Sequence, residues 1–83
     1  MARPSREKLS LHGLPAEEWG RRLRQARKDA GYDTLREAAA KVGMGEVQLS
    51  QIECGRRVPG LDTFYRLVHA LELDLETIFR PQA

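Results

Sequence analysis

Apolar residues recur at helical spacing along most of this chain, and glycines and prolines cut the pattern into five pieces. Trp19, Leu23, Ala26 and Ala30 form the inner stripe of a first helix. It starts near Pro15, which suits a first helical position, has Glu17 and Glu18 near its positive end, and stops at Gly31. Thr34 caps a second helix whose apolar positions Leu35, Ala38, Ala39 and Val42 recur at i, i+3, i+4 and i+7. Gly43 breaks that helix, and Gly45 opens a third over residues 46–53. Leu49 and Ile52 point it inward and leave Glu46, Gln48 and Gln51 facing out. Residues 55–60 form a turn in which Pro59 blocks continuation. A fourth helix over residues 61–71 is inward at Leu61, Phe64, Leu67, Val68 and Leu71. Asp74 caps a short fifth helix with Leu75, Ile78 and Phe79, and Pro81 ends it. No alternating β pattern occurs. Residues 1–13 show no periodicity and are expected to be a flexible basic arm ahead of a domain over 14–80. The pattern predicts an all-α fold, a compact five-helix bundle.

Composition narrows the class. Eighty-three residues allow one domain with a thin core, so association with a second copy would help stability. With 41% hydrophobic and 31% charged residues the chain is expected to be soluble and globular. No apolar run approaches the roughly 20 residues of a membrane span. The basic first residues lack the apolar core of a secretory signal. One cysteine, Cys54, excludes an internal disulfide and suits a reducing cytoplasm. Net charge is only +2, but it is unevenly spread. Arg3, Arg6, Lys8, Arg21, Arg22, Arg24, Arg27 and Lys28 outnumber the acids of the first 31 residues. Asp62, Glu72, Asp74 and Glu76 outnumber Arg66 and Arg80 in the last 23. A basic front and an acidic back fit a nucleic-acid binder. The i,i+4 pairs Glu17/Arg21 and Glu18/Arg22, in the favourable order, read as a plainly solvated helix face.

Helices two and three, residues 34–53, meet at a short glycine turn, and the second of them shows polar amides outward. This is helix-turn-helix design. The order Arg27-x-x-x-Gly31, Ala38-Ala39-x-x-Val42-Gly43, Leu49-Ser50-Gln51-Ile52-Glu53-x-Gly55-Arg56-Arg57-x-Pro59 resembles the Cro/phage-repressor (XRE) helix-turn-helix family. The likeness runs on through Leu61, Phe64, Leu67, Ala70 and Leu71 into Leu73-Asp74-Leu75-Glu76, and covers roughly residues 16–79. It implies a lambda-repressor-like DNA-binding domain of bacterial or phage origin. Glu46, Val47, Gln48 and Gln51 match the family's base-contacting positions. Glutamine offers a donor and an acceptor to adenine, glutamate accepts from cytosine, and valine packs on a thymine methyl. Arg56 and Arg57 match basic positions that the family uses on the phosphate backbone, where affinity depends most on salt. Arg36, with the amides at the positive end of the second helix, and Ser50 are further candidates for phosphate contact. Arg27 and Glu53 match an ion pair joining the first helix to the end of the recognition helix. The chain departs from the family at Leu35, where glutamine is usual, at Gly45, where Ser or Thr is usual, and in a longer turn over residues 31–34.

Chemistry of other kinds has little footing. His12 and His69 are far apart and, with one cysteine, make no metal set at recognisable spacing. No glycine-rich phosphate loop or nucleophile motif is present, and Cys54 is expected to be a small half-buried residue. No enzyme activity, metal or cofactor is expected. The resemblance implies a cytoplasmic, nucleoid-associated regulator that recognises double-stranded DNA by sequence, with repression the expected mode. Two copies on an inverted repeat would supply the specificity that one short helix lacks. Leu73, Ile78 and Phe79, with Tyr65 and Val58 nearby, are the apolar candidates for the dimer contact. The alternative is an antitoxin-like or anti-repressor module of the same fold whose main surface meets another protein. Glu46, Gly45 and Leu35 keep it open.

Overall fold

The computed structural model describes residues 10–11 and 14–79. It contains α1 (Ala16–Asp29), α2 (Leu35–Val42), α3 (Glu46–Glu53), α4 (Leu61–Leu71) and α5 (Leu75–Phe79). Most of the expected arm, with Arg3, Arg6, Lys8 and His12, lies outside the described residues, as do Arg80 and Pro81. The exception is a short antiparallel ladder in which β1 (Ser10–Leu11) pairs with β2 (Leu14–Pro15), Ser10 opposite Pro15 and Leu11 opposite Leu14. Two-residue strands are too short to leave an alternating pattern in a sequence. The ladder leads directly into α1, so Pro15 caps the helix from outside instead of occupying its first turn.

Each helix end has a local cause. Thr34 Oγ1 accepts from the Glu37 amide at 3.1 Å and satisfies one of the orphan donors at the start of α2. The α3 terminus closes with two reverse hydrogen bonds, Gly55 N–H to Ile52 O and Arg56 N–H to Gln51 O. That loop needs a left-handed residue, and Gly55 supplies it at φ 84°. The α1 terminus closes the same way through Gly31 and Tyr32. Asp74 caps α5, its carboxylate accepting from the Glu76 amide and the Thr77 hydroxyl.

Trp19, Leu23, Leu49, Ile52, Leu67, Leu71 and Ile78 fill the centre. α1 lies against α3 and α5, and α2 lies against α3 and α4, so the two helices of the helix-turn-helix are held from both sides. Phe64 links Trp19 to Phe79 with ring centroids 5.6 and 5.8 Å apart, in the tilted and edge-on arrangements that aromatic quadrupoles favour. The indole N–H of Trp19 is buried without an acceptor, a cost of about 1–3 kcal/mol that the surrounding apolar contacts must offset.

Three sequence-based expectations change here. Ala30 is exposed and drops out of the α1 stripe, and Ala16, Gly20 and Arg27 are buried in its place. Leu61 is 84% exposed and lies outside the core, since no described residue packs over it. Leu73 and Ile78 are buried within the chain, Ile78 completely, and Phe79 is half-buried against Phe64. As a set they are core, so they do not offer a free surface to a second copy. The reason is the docking of α5 on α1, where Arg22 Nη1 donates to the Ile78 carbonyl at 3.1 Å.

Glu72, which ends α4, is the one non-glycine residue with positive φ among those described, at 54°. A side chain in that region costs roughly 1–2 kcal/mol, partly balanced in a glycine variant by the freer unfolded chain. Glu72→Gly should therefore raise stability by about 0.5–1 kcal/mol in urea titration, with an unchanged m-value.

Candidate nucleic-acid interface

Helix α3 packs through Leu49 and Ile52, both fully buried, and turns its N-terminal residues outward. Glu46 is exposed and Val47 is 70% exposed, while Gln48, Ser50 and Gln51 are half-buried at the edge of the contact. Val47 and Gln51 stand one turn apart, and Gln48 lies three residues before Gln51, so the three share a face. Glu46 and Ser50 flank it. No side chain caps α3, since Gly45 has none to offer, and its first amides stay open to solvent or a ligand.

Arg56 and Arg57 are both exposed, immediately after the α3 terminus. Arg36 is exposed in the first turn of α2. Thr34 takes the amide of Glu37 alone, which leaves the two preceding amides of α2 without acceptors inside the helix. These groups carry positive charge or partial positive charge, and none of the three arginines has an ion-pair partner among the described residues. Cys54 is exposed, contrary to the half-buried position expected of it, because the α3 cap turns it outward. Among the described residues no group of three or more His, Cys, Asp or Glu could hold a metal ion, and no helix is long and apolar enough to cross a membrane.

The angle of α3 is set from behind. Arg27 and Glu53 meet in a two-pronged ion pair, Nε to Oε2 at 2.7 Å and Nη2 to Oε1 at 3.2 Å. The side chains are only 4% and 6% exposed. Arg27 Nη1 also donates to the Tyr32 carbonyl at 2.6 Å, so one guanidinium joins α1, the α1–α2 turn and the end of α3. Such a parallel pair fixes orientation as well as distance.

Two glycines allow the close approach that this pair requires. Neither was singled out by hydrophobic periodicity as a packing position, because a glycine carries no apolar side chain to count. A Cβ on Gly20 would stand 2.6 Å from the Ile52 carbonyl oxygen and closer still to that of Glu53. A Cβ on Gly55 would stand 2.8 Å from the Glu17 Cα. A glycine inside a helix costs roughly 1 kcal/mol relative to alanine, and here the space it leaves is occupied by the backbone of α3. The signal available in the sequence was a helix-weakening residue in the middle of a strongly helical segment.

Removing either member of the ion pair should leave a buried charge alone. Arg27→Ala or Glu53→Ala is expected to cost about 3–5 kcal/mol, with a double-mutant cycle showing strong coupling. Gly20→Ala should destabilise by about 1–3 kcal/mol despite its better helix propensity, since carbonyl oxygens cannot move aside as a flexible side chain would. Urea denaturation of the wild type, the three single variants and the Arg27→Ala/Glu53→Ala double variant checks both, and a stabilised Gly20→Ala would contradict the packing described.

Comparison with known proteins agrees with this architecture. A family described as a helix-turn-helix domain matches residues 20–81. Over 48 residues the chain is 46% identical to the HTH-type transcriptional regulator ImmR of Bacillus subtilis (strain 168), covering 58% of this chain and 37% of that protein. The chain thus spans little more than a third of that relative. A buried clamp behind α3, an outward face of polar side chains and a match across most of the chain converge: the protein belongs to the helix-turn-helix domain family, of the Cro/phage-repressor (XRE) type.

Proposed function

We propose that this protein is a sequence-specific, double-stranded DNA-binding transcriptional regulator, acting as a repressor and as a homodimer on an inverted repeat. The observation that carries the reading is the outward face of α3, left free while its back is fixed to α1 by the Arg27–Glu53 pair. An α-helix fits the major groove of B-DNA, and its N-terminal half reaches the base edges. The similarity to a protein named as a transcriptional regulator supports the same reading. DNA in the nucleoid places the regulator in the cytoplasm.

Within it, Gln48 and Gln51 read base edges through paired donors and acceptors, and Val47 packs on a thymine methyl. Glu46 is expected to accept from cytosine and to disfavour other bases, because a carboxylate near phosphates gains nothing without such a partner. Arg56 and Arg57 hold the backbone beside the recognition helix, with Ser50 contributing a hydroxyl. Arg36 and the open amides of α2 hold a phosphate at the positive end of that helix. Leu35 in place of glutamine leaves this last contact to the arginine and the backbone.

Titration against duplex DNA at several salt concentrations tests the proposal. Log affinity for random duplex should fall linearly with log salt, with a slope near −0.9 per phosphate contact. Arg57→Ala should weaken operator and random DNA about equally and flatten the slope by about one. Gln51→Ala should cost about 1–3 kcal/mol on a selected operator and little on random DNA. Unchanged preference among operator variants in Gln51→Ala would remove α3 as the reading surface.

A further inference from the structure

The outward side of α4 has a pattern that neither the core nor the proposed DNA contact uses. Leu61 and Tyr65 are 84% and 63% exposed and stand at i and i+4. His69 continues the line at i+8, its ring stacked on Tyr65 with centroids 5.5 Å apart and planes 7° from parallel. Asp62 and Arg66 run beside this ridge, both exposed, and neither has an ion-pair partner among the described residues. On its inner side α4 buries Leu67 and Leu71 and half-buries Phe64 and Val68. Packing within the chain gives no reason for two large apolar side chains in water beside an unpaired acid and base.

A second copy of the same helix gives one. In a two-fold contact each patch meets itself, so a patch must be complementary to its own reversed image. Two antiparallel α4 helices, related by an axis through Tyr65, set Tyr65 against the partner's Tyr65 and Leu61 against the partner's His69. On one flank Asp62 faces the partner's Arg66, and the partner's Asp62 faces Arg66. At about 1.5 Å rise per residue, Asp62 lies ~4.5 Å to one side of Tyr65 and Arg66 ~1.5 Å to the other. Reversal leaves each charged pair about 3 Å out of step along the axis, within the reach of an arginine. The order acid, then base, one turn apart on one helix is what makes the image self-complementary.

We infer that this face of α4 is the homodimer contact, occupied by a second copy of the chain; the inference rests on the homodimer reading proposed above. It replaces the contact expected at Leu73 and Ile78, which are used inside the bundle. Leu61 opens α4 directly after the turn that carries Arg56 and Arg57, so the contact is continuous in sequence with the proposed phosphate grip. One face of an 11-residue helix falls short of the roughly 800 Å² per partner of a standard interface, so the dimer is weak in solution.

Charge exchange tests the contact on the intact chain, by sedimentation over a wide concentration range with helicity measured alongside. The wild type should pass from monomer to dimer. Asp62→Arg and Arg66→Asp each create two like-charge contacts, and each should weaken association at least about tenfold with helicity unchanged. An equimolar mixture of those two chains should restore association as a heterodimer, because every contact becomes opposite in sign. The double variant Asp62→Arg/Arg66→Asp should restore it as a homodimer. If both single variants dimerise like the wild type, the α4 contact is overturned while the homodimer reading stands. If the wild type stays monomeric at every concentration and binds a full operator without cooperativity, the homodimer reading falls and this inference with it. The salt slope on random duplex still tests DNA binding separately.

Discussion

The contact between Arg27 and Glu53 is the constraint on which the rest of the arrangement depends. It is nearly dry, two-pronged, and shared with the carbonyl of Tyr32, so the end of α3 can occupy one position against α1. Burying two charges is costly, and such a pair is often no more stabilising than apolar side chains of the same volume would be. Its value is orientation. A helix held only by Leu49 and Ile52 could roll on its apolar stripe, because dispersion contacts have little directional preference. The guanidinium–carboxylate plane removes that freedom.

Gly20 and Gly55 make the same contact from the steric side. Both lie where α1 crosses the end of α3, and both would clash with backbone if they carried a Cβ. The ion pair supplies attraction and direction, and the glycines allow the approach. Together they let a domain with a thin core present a short helix rigidly, which the proposed groove recognition requires, since base edges are distinguished by donors and acceptors a few ångströms apart.

Charge is distributed to match. Free cationic groups stand at the start of α2 and after α3, while the cations of α1 are largely engaged, Arg21 and Arg22 with Glu18 and Arg27 with Glu53. The cations of the described residues thus include two populations with different roles. One serves the helix surface and the framework; the other is left uncompensated beside α3. On the opposite account, the acidic residues late in the chain cap α5 through Asp74 or border α4 through Asp62.

Periodicity and capping chemistry by themselves determined the five helices and, to within a residue or two, their bounds, because these depend on nearest neighbours along the chain: Thr34, Gly43, Gly55 and Asp74 act locally. The inward stripe of α3 was equally legible, and the membership of the Arg27–Glu53 pair followed from resemblance to a family. Only the tertiary structure decided what depends on elements meeting across the bundle. Leu61 and Ile78 are both apolar at helical spacing, yet one lies in solvent and the other in the core, because α5 finds α1 to cover it and nothing in the described chain covers the start of α4. Gly20 shows the same limit, since its role is defined by carbonyls more than thirty residues away in sequence. A one-dimensional pattern records which face of each helix is apolar, but the choice of which apolar face finds a partner is made by the packing of all five helices together.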